Sequence, residues 1–468
     1  MNPALSRYLF SLSQRLSGAD LLKRISELQS SEYMPRDQMA EMQWRKMEGL
    51  INHAYKHVPY YRRTWNEHGI KLSQIQSLGD LKKLPFLTKS DVQNNFDDLC
   101  SEIGPRKNLQ YGRTSGSSGT PMNYCRTQDS KARFWAAQYR AYAWYGIRPG
   151  DKQGRFYGMP FEQAAGAKEK IKDLVMNRRR LLGMFDLSEA RLATFSEQMN
   201  RFRPVYFNGY ASWLSRFAEF VGSRTKSQYN WIPLNAVVST SEVLHDHKQK
   251  VIEDTFECKV INEYGAAEIG LVAISCPHRG YHTVPENNIV EFALPDNVHA
   301  LGKDEQSHRQ IVITDLHSDA MPFIRYKVGD SVSNLDVADT CSCGRTSQLM
   351  GPVQGRTFQY VLTPEGELRH GMIYDYMLKL AGPAGVGVLS ACTRQRDIHT
   401  ITMYIVKNEL FTDDFLVFVR ESTREHISPT MQIEFEFVDE LPRSPNGKLQ
   451  SFATDIDINA ELSKMKNA

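Results

Sequence analysis

Tyr111-Gly-Arg-Thr-Ser-Gly-Ser-Ser-Gly-Thr-Pro121 packs glycines and hydroxyl side chains where no hydrophobic core could use them. Gly116 and Gly119 permit positive φ and close approach of the backbone. Thr114, Ser115, Ser117, Ser118 and Thr120 offer hydroxyl donors, and successive N–H groups can form an anion-binding nest. A flexible linker has the same composition, so the choice between linker and polyphosphate cradle falls to the segments around it.

On the C-terminal side, short apolar runs alternate with helical patterns: Pro204–Gly209, Ala236–Thr240, Lys259–Asn262 and Gln310–Thr314. That alternation predicts an α/β body with a largely parallel sheet, whose functional residues gather on loops at the strand ends. On the N-terminal side, Met47, Leu50, Ile51, Ala54 and Val58 recur at helical spacing until Pro59. Leu84–Asp91 reads as an extended piece followed by a helix with Thr88 as N-cap, and Ser130–Tyr145 as an aromatic-rich helix against the sheet. The last stretch changes character: Ile433, Phe435 and Phe437 alternate with polar residues as in a half-buried strand. With strand-like Thr400–Val406 and helical stretches at Gly371–Leu380 and Thr412–Glu421, it predicts a small α+β domain. The expected division is residues 1–354 and 355–468.

At 468 residues, with 41% hydrophobic and 24% charged side chains, the chain is long enough for a large core plus a second domain. A net charge of +3 is too small for general nucleic-acid binding, and Arg178-Arg179-Arg180 reads as a solvated helix face. No segment carries the ~20 consecutive apolar residues of a membrane span, and the first residues do not form a secretory leader. A cytoplasmic protein is expected. Leu5, Tyr8, Leu9, Leu12 and Leu16 share one helix face, which suits packing on the body or peripheral contact with a membrane. Seven cysteines do not make a secreted disulfide framework, and Cys100, Cys125, Cys258 and Cys392 read as isolated core residues.

Three further clusters sit at strand-to-loop junctions, and a cysteine–histidine set stands apart from them. Asn262–Glu268 combines a tight turn at Gly265, the ring of Tyr264 for stacking and the carboxylate of Glu268, a ligand type suited to Mg²⁺. Pro322–Asp330 ends in a Gly329-Asp330 turn that can present a carboxylate to ribose hydroxyls. Leu441–Lys448 holds a lysine on a Pro/Gly-rich loop, where it can deliver a point charge to a developing anion. Cys276, His282, Cys341 and Cys343 make a normal donor set for closed structural zinc, with His278 competing for the imidazole position and ordinary reduced cysteines as the alternative. Pocket walls are expected from Tyr157–Pro160, Tyr206–Tyr210 and Ser239–Ser241. Tyr157, Tyr206, Asn208, Gly209, Tyr210, Ser239 and Ser241 mix aromatic and polar groups, which favours a polar ligand over a plain aryl one unless the tyrosines belong to the core.

In order, these clusters resemble the adenylate-forming ligases, and specifically the phenylacetate-CoA ligase family. The resemblance runs through His53-Ala54, Val58–Tyr61, Leu84–Lys89, TSGSSGTP at 114–121, Ser241-Glu242, EYGAAE at 263–268, FIRYKVGD at 323–330, CSCGRT at 341–346, GRT at 355–357 and SPNGK at 444–448. It implies a large N-terminal domain of mixed sheets and helices that binds ATP and an acid, and a small mobile C-terminal α+β domain. Residue by residue, Thr114–Thr120 would hold the β- and γ-phosphates, Glu242 with Tyr264 and Gly265 would line adenine, and Glu268 would hold Mg²⁺. Asp330 would bind ribose, Arg345 and Arg356 would contact nucleotide, and Lys448 would bridge the carboxylate and AMP. Some family members have a metal at the place of the cysteine cluster.

Three departures from the family matter. Thr120 stands where many members place a phosphate-loop lysine, Phe358 or Gln359 where they place a hinge acid, and Leu362–Gly366 where they have a glycine-rich hinge loop. The last resembles the capsular-polysaccharide branch, and implies acyl transfer to the amine of a sugar in envelope polysaccharide synthesis. The alternatives are transfer to CoA, and a non-catalytic nucleotide-binding module.

Overall fold

The computed structural model describes residues 3–16, 20–103, 109–114, 122–156, 167–180, 189–294, 309–332, 339–356, 360–370, 374, 377–378, 381–442, 450 and 452–466. The chain divides into two compact units. The first comprises Met1–Glu291, Ile311–Val328 and Asp336–Pro352; the second comprises Phe292–Gln310, Gly329–Leu335 and Val353–Ala468.

The first unit begins with helices. Helix Arg36–His57 buries Met47, Leu50, Ile51 and Ala54, the stripe predicted by spacing. Pro59 ends that helix and begins the next, Pro59–Glu67, because its missing N–H costs nothing in a first helical turn. Thr88 forms a capping box with Asp91: its hydroxyl accepts from the Asp91 amide at 3.1 Å, and Asp91 accepts from the Thr88 amide at 2.8 Å. Strands β1 (Gln110–Arg113) and β2 (Asn123–Arg126) then form an antiparallel hairpin, and the glycine loop joins them.

A seven-stranded sheet forms the centre of this unit, in the order β4-β3-β5-β6-β7-β8-β9. The strands are β3 (Gln153–Phe156), β4 (Arg178–Arg180), β5 (Tyr206–Tyr210), β6 (Ala236–Thr240), β7 (Lys259–Ala266), β8 (Gly270–Ser275) and β9 (Tyr281–Thr283). β4, β3, β5, β6 and β7 pair in parallel, and β8 and β9 turn back antiparallel. β5 and β6 are buried along their whole length, which is why they read as apolar runs. One face packs Phe207, Trp213, Phe217, Trp231 and Phe256; the other packs Tyr139, Tyr142 and Ile147 near the helix Gln128–Tyr142. At about 1.5–3 kcal/mol for each fully buried large apolar side chain, these faces supply most of the drive to form the sheet.

The arginine run 178–180 corrects the sequence reading. It is strand β4, and Arg178 is 2% exposed and paired with Asp173. The ion pair lets a basic residue occupy a sheet position that charge patterning alone assigns to solvent. Cys100 and Cys125 are not isolated either, since their sulfurs lie 3.6 Å apart in the core.

The chain continues through β10 (Asn288–Ala293), β11 (Arg309–Asp315), β12 (Tyr326–Val332) and β13 (Val353–Arg356). In the second unit come β14 (Tyr360–Leu362), β15 (Leu368–His370), β16 (Val388–Gln395), β17 (Thr400–Lys407), β18 (Gln432–Phe437) and β19 (Phe452–Thr454). The last four form a sheet in the order β18-β17-β16-β19, with Ile401, Met403, Ile405, Phe415 and Val419 in its core. The expected α+β character is found, with helix Asp414–His426 beside the sheet. Among the described residues no helix is long and apolar enough to cross a membrane.

Gly209 owes its identity to packing. A Cβ at this position would lie 2.3 Å from the Phe156 carbonyl oxygen and 2.4 Å from the Phe156 Cβ. Gly209→Ala is therefore expected to destabilise the sheet by about 1–3 kcal/mol, seen as a lower urea midpoint with unchanged slope.

Candidate active site

The glycine loop leaves the β1–β2 hairpin through a closed base. The Thr114 amide donates to the Met122 carbonyl at 2.8 Å, and the Met122 amide donates to Thr114 Oγ1 at 2.9 Å. Met122 is 1% exposed, and its sulfur lies 3.8 Å from the Tyr326 hydroxyl. That hydroxyl donates to Glu268 Oε1 at 3.0 Å. The loop base and the Glu268 carboxylate, 154 positions apart in sequence, thus meet on one phenol. On the same side Arg126 of β2 lies over the Tyr124 ring at 4.8 Å and donates to the Ala267 carbonyl.

Tyr326 is held by a clamp. Arg325, 6% exposed and at φ +50°, donates to Glu291 from Nε at 3.1 Å and from its terminal nitrogen at 2.9 Å. It also donates 2.5 Å to the Leu84 carbonyl and lies 4.3 Å over the Phe86 ring. The Leu87 amide donates to the Arg325 carbonyl at 3.1 Å, and the Lys327 amide to the Leu87 carbonyl at 2.9 Å. The motif Leu84–Lys89 is thereby docked edge-on against Phe323–Lys327. Upstream, the turn is fixed by Asp315, whose Oδ1 accepts from the His317 amide at 2.9 Å, and by Ser318, whose hydroxyl accepts from the Phe323 amide at 3.1 Å. Burial pushes the Asp315 carboxyl up to about 7, against the opposing His317 hydrogen bond.

The carboxyl ends of β5, β6 and β7 form the second half of the site. Register places Gly209 beside Ser239 and Ser239 beside Asn262. Glu242 accepts from the Ser212 amide at 2.8 Å and the Ser212 hydroxyl at 3.1 Å, at the start of helix Ala211–Gly222. Ser241, just before it, has φ +68°. At the end of β7 Tyr264 is 8% exposed, and the ladder shifts register between Tyr264 and Gly265. A Cβ on Gly265 would lie 2.3 Å from the Gly270 carbonyl oxygen, so this close approach excludes every larger residue.

Cys276, His282, Cys341 and Cys343 place their donor atoms all within 4.8 Å of one another. Cys276 and Cys341 sulfurs are 3.6 Å apart, and Cys343 Sγ is 3.3 Å from His282 Nε2. Three sulfurs and one imidazole nitrogen at such separations fit tetrahedral zinc. The other ring nitrogen, Nδ1, is 2.9 Å from Ser347 Oγ, a partner that fixes ring orientation. His278 lies outside the group, against the exposed Ser342 hydroxyl at 3.2 Å, so His282 is the histidine that gathers with the three sulfurs. Burial, then the charge of Arg345, pushes His282 down to about 4. Burial opposes the Cys343 thiolate, but hydrogen bonds from Arg345 win and hold its pKa below the usual thiol value.

No protein-family model matches the chain. The phenylacetate-coenzyme A ligase of Thermus thermophilus is 26% identical over 331 residues, 70% of this chain and 72% of that one. Protein CapK of Staphylococcus aureus is 23% identical over 425 residues, 87% of each. Among solved structures, 2-hydroxyisobutyryl-CoA ligase in the postadenylation state with 2-HIB-AMP superposes with a TM-score of 0.67 at 19% identity, covering 94% of both chains. The chain is similar in sequence to the phenylacetate-coenzyme A ligases and shares the fold of the 2-hydroxyisobutyryl-CoA ligase.

Of the residues that the sequence singles out, Thr114 and Glu268 come together through Tyr326, and Glu242, Tyr264, Gly265, Ser239 and Ser241 gather at the carboxyl ends of adjacent strands β6 and β7. Asp330 belongs to the second unit, in backbone register with Arg356 across β12 and β13. Ser115, Gly116, Ser117, Ser118, Gly119, Thr120, Tyr157 and Lys448 lie outside the described residues. Two assignments change. Tyr206 starts β5 and packs among Tyr139 and Tyr142, so it belongs to the core. Arg345 pairs with Glu32 at 3.3 Å and stacks 4.0 Å over Trp144 beside the cysteine cluster, which commits its guanidinium away from nucleotide. Sequence reasoning missed Arg325 and Tyr326. Both stood in a quoted motif, but their partners lie in other motifs, and only the pairing of Leu87 with Tyr326 reveals the connection.

The purified chain is expected to hold about one zinc per molecule by elemental analysis, and Cys341→Ser to lose it with a lowered melting temperature. The folded pKa of Asp315 is raised above its ordinary 3.8. Its protonation therefore stabilises the fold fully below about pH 4, and that contribution is lost as pH rises through about 7. The unfolding free energy of wild type minus that of Asp315→Asn should fall across this window and be flat above it, as read by urea titrations at each pH.

Proposed function

We propose that the chain uses ATP to convert a carboxylic acid into an acyl-adenylate, releasing pyrophosphate, and then passes the acyl group to coenzyme A. The observation that carries the first step is the joining of the glycine loop's base to Glu268 through Tyr326. A polyphosphate-type loop and a hard-cation carboxylate have few other uses in common.

In the first step a carboxylate oxygen of the acid bonds to the α-phosphorus, the bond from that phosphorus to the bridging oxygen breaks, and pyrophosphate departs. The site must hold two anions together and neutralise the charge that accumulates. Ser115–Thr120 would hold the β- and γ-phosphates with hydroxyls and amides, and Lys448 would bring a point charge to the acid carboxylate and the AMP phosphate. Asp330 would accept from ribose hydroxyls, with Arg356 near its strand. Glu242, fixed by Ser212, and Tyr264 with Gly265 would wall the adenine. Mg²⁺ held by Glu268 would supply positive charge to the phosphates. Residues 1–354 would bind ATP and the acid, and residues 355–468 would carry Lys448. Asn208, Tyr210, Ser239 and Ser241 are the remaining candidates for the acid pocket, and their polarity favours a hydroxy or amino acid over a plain aryl acid. The zinc cluster is structural in this reading.

Coenzyme A as acceptor is supported by the names of the Thermus enzyme and of the structural neighbour, both coenzyme A ligases. The second reading, transfer to the amine of a sugar, is supported by the reach of the CapK match, 87% of the chain against 70% for the Thermus enzyme.

ATP–pyrophosphate exchange over a panel of aryl, fatty, hydroxy and amino acids should be positive for at least one acid; no exchange with any would favour a binding module. With that acid, mass spectrometry should find an acyl-CoA when CoA is supplied, and an N-acyl product with amino sugars would establish the second reading instead. Lys448→Ala should lower exchange by about 10²-fold or more while ATP binding stays within a few-fold; unchanged exchange would reject its role.

A further inference from the structure

We propose that Tyr326 is a positioning residue: its phenol holds the Glu268 carboxylate against the base of the glycine loop and so sets affinity for the divalent cation that accompanies the nucleotide. This rests on the reading of Glu268 as the cation ligand.

The geometry is specific to the hydroxyl. Tyr326 is 1% exposed, and its oxygen reaches both Glu268 Oε1, at 3.0 Å, and Met122 Sδ, at 3.8 Å. The carboxylate is the stronger acceptor, so the single phenolic proton belongs to Glu268 and the sulfur is a packing contact. The ring has little freedom to turn. Its backbone is bracketed by the Leu87 amide and carbonyl, the Phe323 ring stands edge-on at 5.1 Å, and the residue before it is fixed at φ +50°. Left-handed backbone at a non-glycine residue is retained where surrounding contacts over-determine it, and here those contacts are the ion pair to Glu291 and the Leu84 carbonyl.

A neutral donor is the chemistry that a cation-binding carboxylate needs as a neighbour. It orients the group and occupies one of about four lone-pair sites, while a lysine or arginine at the same spot would compete with the cation for the charge. Because Met122 also closes the loop through Thr114, a displacement of the phenol would be felt at the loop base as well as at the carboxylate.

The test is Tyr326→Phe in the full chain, which keeps the ring and removes the oxygen. Mn²⁺ binding in the presence of a non-hydrolysable ATP analogue would be followed by electron paramagnetic resonance. The expected result is a rise of roughly tenfold or more in the Mn²⁺ half-saturation, with melting temperature and metal-free analogue binding close to wild type. Wild-type Mn²⁺ affinity in the variant would overturn the proposal and leave the functional reading standing. A loss of metal-free binding in step with a lowered melting temperature would also overturn it, since that is the signature of a merely structural tyrosine. If wild type itself shows no Mn²⁺–nucleotide binding, both the proposal and the assignment of Glu268 fall together.

Discussion

The buried guanidinium of Arg325 is the constraint on which the site's geometry depends. It pairs with Glu291, donates to the Leu84 carbonyl and covers Phe86, and thereby ties three distant stretches of chain together. Breaking a buried ion pair by removing one partner typically costs about 3–5 kcal/mol, because the other charge is left without compensation. With Glu291 24% exposed the cost here lies toward or below the lower end of that range, and it favours the docking of Leu84–Lys89 against Phe323–Lys327. Once docked, the strand that carries Tyr326 has one position, and the phenol reaches Glu268.

The site is therefore built from two supports. A parallel sheet, buried on both faces, delivers Ser239, Ser241, Glu242 and Tyr264 to the carboxyl ends of adjacent strands, as this architecture does generally. A separate hairpin delivers the glycine loop, and the Arg325 clamp joins the hairpin's base to the end of the sheet through Tyr326. The cysteine cluster serves the same body at another place, where β8 and β9 turn back and Arg345 lies on Trp144. Its donors come from segments about 60 residues apart, so a bound zinc would join them as a cross-link.

Much of the fold was legible. Apolar runs of five or so residues between helical patterns gave strands where the structure has β5, β6, β7 and β11, because strands buried on both faces need no polar alternation. Thr88 and Asp91 announced their capping box through residue type and spacing alone. The arginine run 178–180 misled for a physical reason: charge argues for solvent, but along a strand neighbours alternate, so Arg178 is buried and paired with Asp173 while Arg179 is exposed. Tyr206 and Tyr210 look alike in sequence, but one begins β5 among the core tyrosines and the other ends it beside Trp213.

What the sequence by itself determined was chemistry: which residues carry hydroxyls, carboxylates, thiols and a loop lysine, and the order of motifs that resembles adenylate-forming ligases. Local signals such as caps, periodicity and glycine turns act over a few residues and can be read one at a time. Only the tertiary structure decided which of those groups meet. His282 rather than His278 joins the cysteines, Arg345 belongs to Trp144 and Glu32, and Tyr326 links Glu268 to the glycine loop. Those choices depend on contacts between segments tens to hundreds of residues apart, which no local pattern in a single chain encodes.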